Sequence, residues 1–386
     1  MKGSAQESLS QLIKKYKIDR VVWNRLYSKK SISRDTKIKQ NLKEKNIEVE
    51  TFNAHLLNEP WEVQNNSGLY FKVFTPYWRK AFDVYKAKKY QITSLKSIDP
   101  LEHNEKTQWN FLPSKKWYQK FSNYWKPGEE AALEKLKYYI NNHIDNYKEG
   151  RDRPDLDQTS RLSPHLRFGE ISPRMIVNQV IKSKKLDISS LTFLSEIGWR
   201  EFSYSLLYYS KDLSTMPINE KFSKFPWRKN EKDLNLWKKG KTGIPLIDAA
   251  MRQIYDNGWM HNRLRMVVGS FLVKNLLLNW TYGERYFQNT LLDYDEASNA
   301  AGWQWIAGCG ADASPYFRVF NPVLQSERFD PQAKFILKYL PDLEELKKPS
   351  LIFQPYLSEE PLNNLVKNNQ YYYPIVDLKD SRNRAL

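Results

Sequence analysis

The sequence predicts two unlike parts, a small and incomplete α/β region followed by a large all-α region. Three observations predict this. Helix and strand patterns alternate over the first 60 residues, which implies a parallel sheet with crossover helices. From Glu129 onward the apolar spacing is helical and no strand pattern interrupts it. Between the two, Gln91 to Gly128 has weak periodicity and carries Pro100, Pro113 and Pro127. The expected division is residues 1–90, a connecting segment 91–128, and residues 129–386.

In chain order, Leu9 to Tyr16 has the spacing of an amphipathic helix and Asp19 to Trp23 that of a short apolar strand. Ser31 to Asn46 reads as a charged helix, and Ile47 to Phe52 alternates with a period of two. Two strands are too few for a stable doubly wound sheet, so this Rossmann-like region is expected to lack elements ahead of Met1. No G-x-G-x-x-G accompanies the strands, so nothing in them argues for dinucleotide binding. In the second part, helices are expected at Ala131–Tyr147, Pro173–Lys184, Leu191–Tyr209, Ile244–Asn257, Leu264–Trp280 and Gly283–Leu292. Pro173 and Pro245 fall near helix starts, where proline's missing N–H has no helical partner to lose.

Composition narrows the function classes. Sixty-one Lys and Arg stand against 44 Asp and Glu, a formal charge of +17. Such a field attracts polyanions, although a lysine-rich surface serving only solubility has the same composition. Thirteen Trp, 24 Tyr and 18 Phe exceed the needs of an ordinary core and suit stacking surfaces for bases or flat cofactors. The single cysteine, Cys309, excludes a disulfide scaffold and a CxxC site. The five histidines (His55, His103, His143, His165, His261) make no metal-ligand pair by spacing, so no metal is expected. The longest apolar stretch, Gly269 to Trp280, is broken by Lys274 and is too short to span a bilayer. Met1 to Ser4 lack the apolar core of a signal peptide, and a soluble, cytoplasmic, monomeric protein is the expectation.

Four segments carry chemistry. Thr159-Ser160-Arg161-Leu162-Ser163 precedes His165 to Gly169 and sets hydroxyls and arginines in a turn before a helix. That arrangement suits a cofactor pyrophosphate, and it equally suits a helix cap with no ligand. Glu196, Trp199 and Arg200 share one helical face at i, i+3 and i+4. Together they can grip a flat, hydrogen-bonding ligand, or they are a buried Trp beside a surface ion pair. Gly258 to Met266 brings Asn262, Arg263 and Arg265 to the start of the next helix, where Asn can read a base edge and Arg can bind phosphate. His261 beside them reads as structural. Leu292 to Trp305 sets Asp293, Asp295 and Glu296 before Asn299, a run of small residues, Trp303 and Trp305. The acidic triplet lacks the Gly and terminal Glu of a calcium loop, and small residues beside Asn299 let a planar group approach the backbone. No G-x-S-x-G motif supports a nucleophilic triad.

Taken together and in this order, with Tyr316-Phe317-Arg318-Val319-Phe320-Asn321-Pro322 after them, these segments resemble the photolyase/cryptochrome family. The resemblance is greatest to its bacterial cyclobutane pyrimidine dimer (CPD) photolyases. It runs from Arg20 to the C-terminus and is dense from Tyr147 to Leu340. It implies an N-terminal α/β antenna domain and a helical domain that holds FAD in a U shape. It also implies light-driven repair of UV-damaged DNA, a carbon–carbon lyase reaction. Light excites reduced FADH⁻, an electron passes to the pyrimidine dimer, the cyclobutane ring splits, and the electron returns. The lesion must leave the duplex stack to reach the flavin. The family normally begins with two further strands and a helix. Some members hold a folate antenna through an Asn-Glu pair that Asn24 to Asp35 lack, and repair does not require an antenna.

Residue by residue, the resemblance assigns Tyr147, Thr159, Ser160, Arg161, Leu162 and Ser163 to the flavin phosphates. It adds Arg200 to the cofactor contacts and sets Arg265, Asp293 and Asp295 beside the isoalloxazine and adenosine parts. Asn299 falls opposite flavin N5, where plant cryptochromes have Asp and many animal ones Cys. Glu196, Trp199, Asn262, Met266 and Trp305 match the dimer contacts, the tryptophans as apolar walls and Glu196 and Asn262 at the base edges. Photolyases acting on the (6-4) photoproduct have histidines where this chain has Asn262 and Met266, which favours the CPD. Arg151, Arg263 and Arg318 match DNA-phosphate contacts. Trp303, Trp280 and Trp227 match a chain that reduces the flavin from the surface, although any one of them alone reads as core. The other implied activity is that of a cryptochrome-like blue-light photoreceptor that binds FAD without repair.

Overall fold

The protein is represented by a computed structural model that describes residues 3–88, 112–183, 186–313 and 315–386. Met1, Pro100, His103, Lys184 and the first part of the predicted connecting segment lie outside the described residues. Helix α1 (Ala5–Tyr16) opens on a capping box in which the Ser4 hydroxyl accepts the Glu7 N–H and Glu7 accepts the Ser4 N–H. Strand β1 (Arg20–Asn24) pairs in parallel with β2 (Glu48–Phe52), Val22 opposite Glu50, and α2 (Lys29–Glu44) makes the crossover. Helix α1 buries no side chain and α2 only Ile38 and Leu42, so this sheet carries little core of its own.

Helix α3 (Phe74–Ala87) lies in a stretch where the sequence predicts no element. Its buried stripe is Phe74, Tyr77, Ala81 and Tyr85, which has helical spacing but is mostly aromatic rather than aliphatic. After a 3₁₀ turn at Trp117–Asn123 come α4 (Glu129–Asn142), α5 (Tyr147–Gly150), α6 (Ser163–Phe168), α7 (Pro173–Ser183) and α8 (Ile188–Tyr209). The expected helix Ala131–Tyr147 is interrupted at His143, so Tyr147 begins a separate turn. Helix α8 is the spine of the molecule, in contact with α3 and α5. At Gly198 the Trp78 ring of α3 comes so close that an added Cβ would lie 2.5 Å from it. Glu201 of α8 accepts the N–H groups of Leu57 at 2.8 Å and Asn58 at 3.3 Å, tying that loop to the spine. Burial pushes the Glu201 carboxyl up to about 7 against the pull of Arg200 and these two N–H groups.

Beyond it lie α9 (Glu231–Lys238), α10 (Pro245–Asn257), α11 (Asn262–Ser270), α12 (Trp280–Thr290) and α13 (Glu296–Ala307). The single helix expected at Leu264–Trp280 is two. Helix α11 runs into a π turn at Phe271–Asn275, Leu277 takes a left-handed φ of 53°, and the Asn279 side chain then caps α12. Trp280 therefore starts a new helix instead of ending the old one, because the Asn cap and the αL residue together reverse the chain. Short helices between Pro322 and Ala385 close the main core over α10 and the π turn.

Helices α12 and α13 meet where Gly283 faces the Trp303 ring, and a Cβ at Gly283 would lie 2.1 Å from that ring. Gly283→Ala is therefore expected to cost about 1–3 kcal/mol despite alanine's better helix propensity, read as a lower denaturant midpoint. Unchanged stability would mean that Trp303 can move aside.

Candidate functional site

A cavity of about 540 Å³ opens between α8, the turn before α6, the start of α11, and helices α12 and α13. Tyr147, Arg151, Thr159 to Ser163, Glu196, Trp199, Arg200, Asn262, Arg265, Met266, Asp293, Asp295, Asn299, Trp303 and Trp305 all line it. Segments that the sequence singled out separately thus converge on one space. Arg263, Arg318, Trp280 and Trp227 are not part of its wall.

At the turn before α6, Arg161 takes a left-handed φ of 49°, and no side chain caps the helix. The hydroxyls are thus not occupied as a helix cap. Ser163 Oγ accepts the indole N–H of Trp259 at 3.2 Å, and the Arg161 guanidinium lies 5.2 Å over the Trp259 ring. The Arg161 Nε is buried without a hydrogen-bond partner.

On the opposite wall a buried network joins α8 to α13. Asp295 accepts the Ser298 N–H at 2.8 Å, capping α13, and its other oxygen accepts the Tyr204 hydroxyl. Because Tyr204 spends its only proton there, the His55 Nε2 at 2.6 Å must carry an N–H that Tyr204 accepts. Arg200 donates to the His55 carbonyl at 2.7 Å and lies 4.8 Å over the Tyr204 ring, while its Nη2 is buried without a partner. Burial works against the Asp295 charge, yet Arg200, the Tyr204 hydroxyl and the Ser298 N–H together hold its carboxyl below the ordinary value. Asp293 is likewise committed, with both oxygens within 3.0 Å of Arg265 Nη2, whose Nε donates to the Met260 carbonyl. Both aspartates of the acidic triplet are therefore taken up by protein partners.

Glu196 is paired with Arg151 at 2.6 Å and not with Arg200, its neighbour on the helix. Asp152 lies 3.9 Å from Arg151 and 2.6 Å from Arg263, so the two arginines share a carboxylate beside the cavity. Burial raises the Glu196 carboxyl above its ordinary value although Arg151 opposes the shift. Trp199 stacks on Phe74 at 3.7 Å and 8°, which fixes one face of its ring. Asn299 Nδ2 donates to the Glu284 carbonyl and carboxylate, both at 3.1 Å, which leaves its Oδ1 as an acceptor. Trp303 is buried against Phe287 at 5.1 Å and Trp237 at 6.2 Å. Trp280 is buried in the same core, and half-buried Trp227 packs on Phe225 at 4.3 Å.

The sequence reading missed His55, Tyr204, Asp152, Glu284 and Trp259. Tyr204 had a signal, since it follows Arg200 at i+4 on the singled-out face, and Asp152 adjoins Arg151. His55 reaches Tyr204 across 149 residues and carried none.

The family model for the FAD binding domain of DNA photolyase matches residues 193–386, and that for DNA photolyase matches residues 1–96. A deoxyribodipyrimidine photo-lyase of Agrobacterium fabrum (strain C58) is 43% identical over 399 residues, covering 100% of this chain and 82% of that protein. A bacterial class III photolyase from Agrobacterium tumefaciens has a crystal structure similar at a TM-score of 0.89 and 40% identity, covering 99% of this chain and 81% of that one. A Synechocystis cryptochrome is similar at a TM-score of 0.82 and 26% identity, covering 99% of this chain and 82% of that one.

His261 is buried and caps α11, its Nδ1 accepting the Arg263 N–H at 3.2 Å. Burial lowers it to about 4, with Asp152 opposing and Arg263, Arg161 and Arg265 reinforcing the shift. A histidine kept neutral in the fold contributes stability that is full above its unfolded value of 6.5 and is lost as pH falls toward 4. His261→Asn keeps a capping oxygen and cannot take up the proton. Its stability relative to the parent is expected to rise by about 3 kcal/mol between pH 6.5 and pH 4, measured by denaturant unfolding. A difference independent of pH would contradict this.

Proposed function

The chain belongs to the photolyase/cryptochrome family, and on that premise we propose that it is a light-driven DNA-repair enzyme that holds FAD in its cavity and splits cyclobutane pyrimidine dimers. The observation that carries this reading is the convergence of the flavin-type and dimer-type groups on one space. The cavity suits a flat, anionic cofactor. Two cationic side chains in its wall, Arg161 and Arg200, have buried nitrogens without partners, while much of the remaining wall is aromatic. Residues 1–90 are proposed as the antenna part, 91–128 as the connector, and 129–386 as the part that binds FAD and lesion.

The reduced flavin, when bound and excited by light, supplies the electron that opens the cyclobutane ring. The protein's part is to bind and orient. Arg161 and the Thr159, Ser160 and Ser163 hydroxyls, with Tyr147 and Leu162 beside them, hold the cofactor's phosphates. Arg200, Arg265, Asp293 and Asp295 form a rigid charged frame around the rest of it. Asn299, steered by Glu284, offers Oδ1 as a neutral acceptor for a protonated ring nitrogen, which suits the reduced state without adding charge.

On the dimer side, Trp199 and Trp305 flank the fused bases, with Met266 adding apolar wall and Asn262 meeting a base edge. Glu196, held in place by Arg151, presents its carboxyl group to a base edge. Arg151, Arg263 and Arg318, within a chain of charge +17, draw and seat the DNA phosphates. Trp303, Trp280 and Trp227 serve as the route by which an oxidised flavin is reduced from the surface.

Photoreduced protein is expected to repair an oligothymidylate carrying CPDs under near-UV light and not in the dark. Glu196→Ala should weaken dimer binding about tenfold and lower repair with flavin content unchanged. Loss of flavin in that variant would mean the residue has been misassigned. Trp303→Phe should block photoreduction of oxidised flavin and spare repair by chemically reduced enzyme. Unimpaired photoreduction would refute the route, and bound flavin without repair in the parent would favour the photoreceptor.

A further inference from the structure

Lys274 is a lysine without exposure in the π turn after α11, and none of the roles above uses it. Among the described residues no carboxylate pairs with it. Its ammonium makes one hydrogen bond, at 2.6 Å, to the backbone carbonyl of Arg318, and lies 5.7 Å over the Tyr316 ring. Four residues earlier, Ser270 Oγ accepts the Phe320 N–H at 3.1 Å. The end of α11 and the π turn thus grip residues 320 and 318.

The gripped turn is closed by a hydrogen bond from the Arg318 N–H to the Pro315 carbonyl at 2.9 Å. Its outer side carries the exposed Arg318 guanidinium and Phe317, which is 70% exposed. A buried ammonium is costly, and one carbonyl does not satisfy its three N–H groups. The charge of Arg318 adds to that cost. Burial, reinforced by Arg318, pushes the Lys274 ammonium down to about 8. The repulsion between these two positive charges is relieved by an anion arriving at the surface.

We propose that Lys274 is a positioning residue for DNA binding, fixing from below the turn that presents Arg318 to a backbone phosphate. This rests on the reading of Arg318 as a phosphate contact.

The test is a double-mutant cycle on flavin-loaded protein. Affinity for a labelled oligonucleotide with a single CPD is measured across a salt series for the parent, Arg318→Ala, Lys274→Met and the double variant. Each single change is expected to weaken binding about threefold to tenfold and to reduce the slope of log affinity against log salt by about one. The double variant should bind no more weakly than Arg318→Ala alone, because both changes remove one contact. Flavin content should stay at parent level, so the loss appears in DNA affinity and not in cofactor binding. Parent-like affinity in Lys274→Met, or additive losses in the double variant, would overturn the proposal while leaving Arg318 as a contact. Parent-like affinity in Arg318→Ala would overturn the contact itself and the proposal with it. Should Lys274→Met fail to hold flavin, the cycle is run with Lys274→Gln, which removes the charge, and additivity there is equally fatal.

Discussion

Asp295 stands at the start of α13 with its carboxylate between the Ser298 N–H and the Tyr204 hydroxyl, in the field of Arg200. Three parts of the chain meet there: α13 through its cap, α8 through Arg200 and Tyr204, and the loop at His55 through its ring and carbonyl. A buried carboxylate left without these partners would be protonated, and the cap, the tyrosine and the arginine would each lose their hold. The cavity lies between the two helices that this carboxylate joins. Its shape therefore depends on an electrostatic arrangement assembled from residues far apart in sequence.

The same logic governs the rest of the wall. Each acid near the cavity is matched to a base or an N–H: Asp293 to Arg265, Glu196 to Arg151, Asp152 to Arg263. Arg161 and Arg200 have carboxylate neighbours in Asp157 and Glu201, yet each keeps one buried nitrogen, Nε and Nη2, without a hydrogen-bond partner. A large apolar space edged by unfilled cationic donors is the electrostatic complement of a planar cofactor with phosphates. The arginine–carboxylate pairs beside the cavity also hold their guanidiniums in place, which lowers the ordering entropy of any encounter with an anion there.

Much of this was legible in the sequence, and the failures have physical causes. The helical part and the two parallel strands follow from period and crossover spacing. Helix α3 did not register because its buried stripe is aromatic, and the break before Trp280 was hidden inside a continuous apolar run where an Asn cap and one left-handed residue turn the chain. The site motifs were legible because each is local: a hydroxyl turn, one helical face, one cap region. Partnerships were not. Glu196 read as a neighbour of Arg200, yet its carboxylate bonds Arg151, 45 residues away. Asn299 and Glu284 meet between two helices, a pairing no single-helix spacing reveals.

The proposed function requires one cavity to receive both the cofactor and the lesion. The most direct measurement is the visible absorption of flavin-loaded protein, titrated in the dark with an oligonucleotide carrying one CPD and with its undamaged counterpart. The damaged strand alone is expected to perturb the flavin band, saturating at one lesion per flavin with the flavin retained. Tight binding of the damaged strand with an unperturbed band, or release of the flavin as the lesion binds, would contradict it.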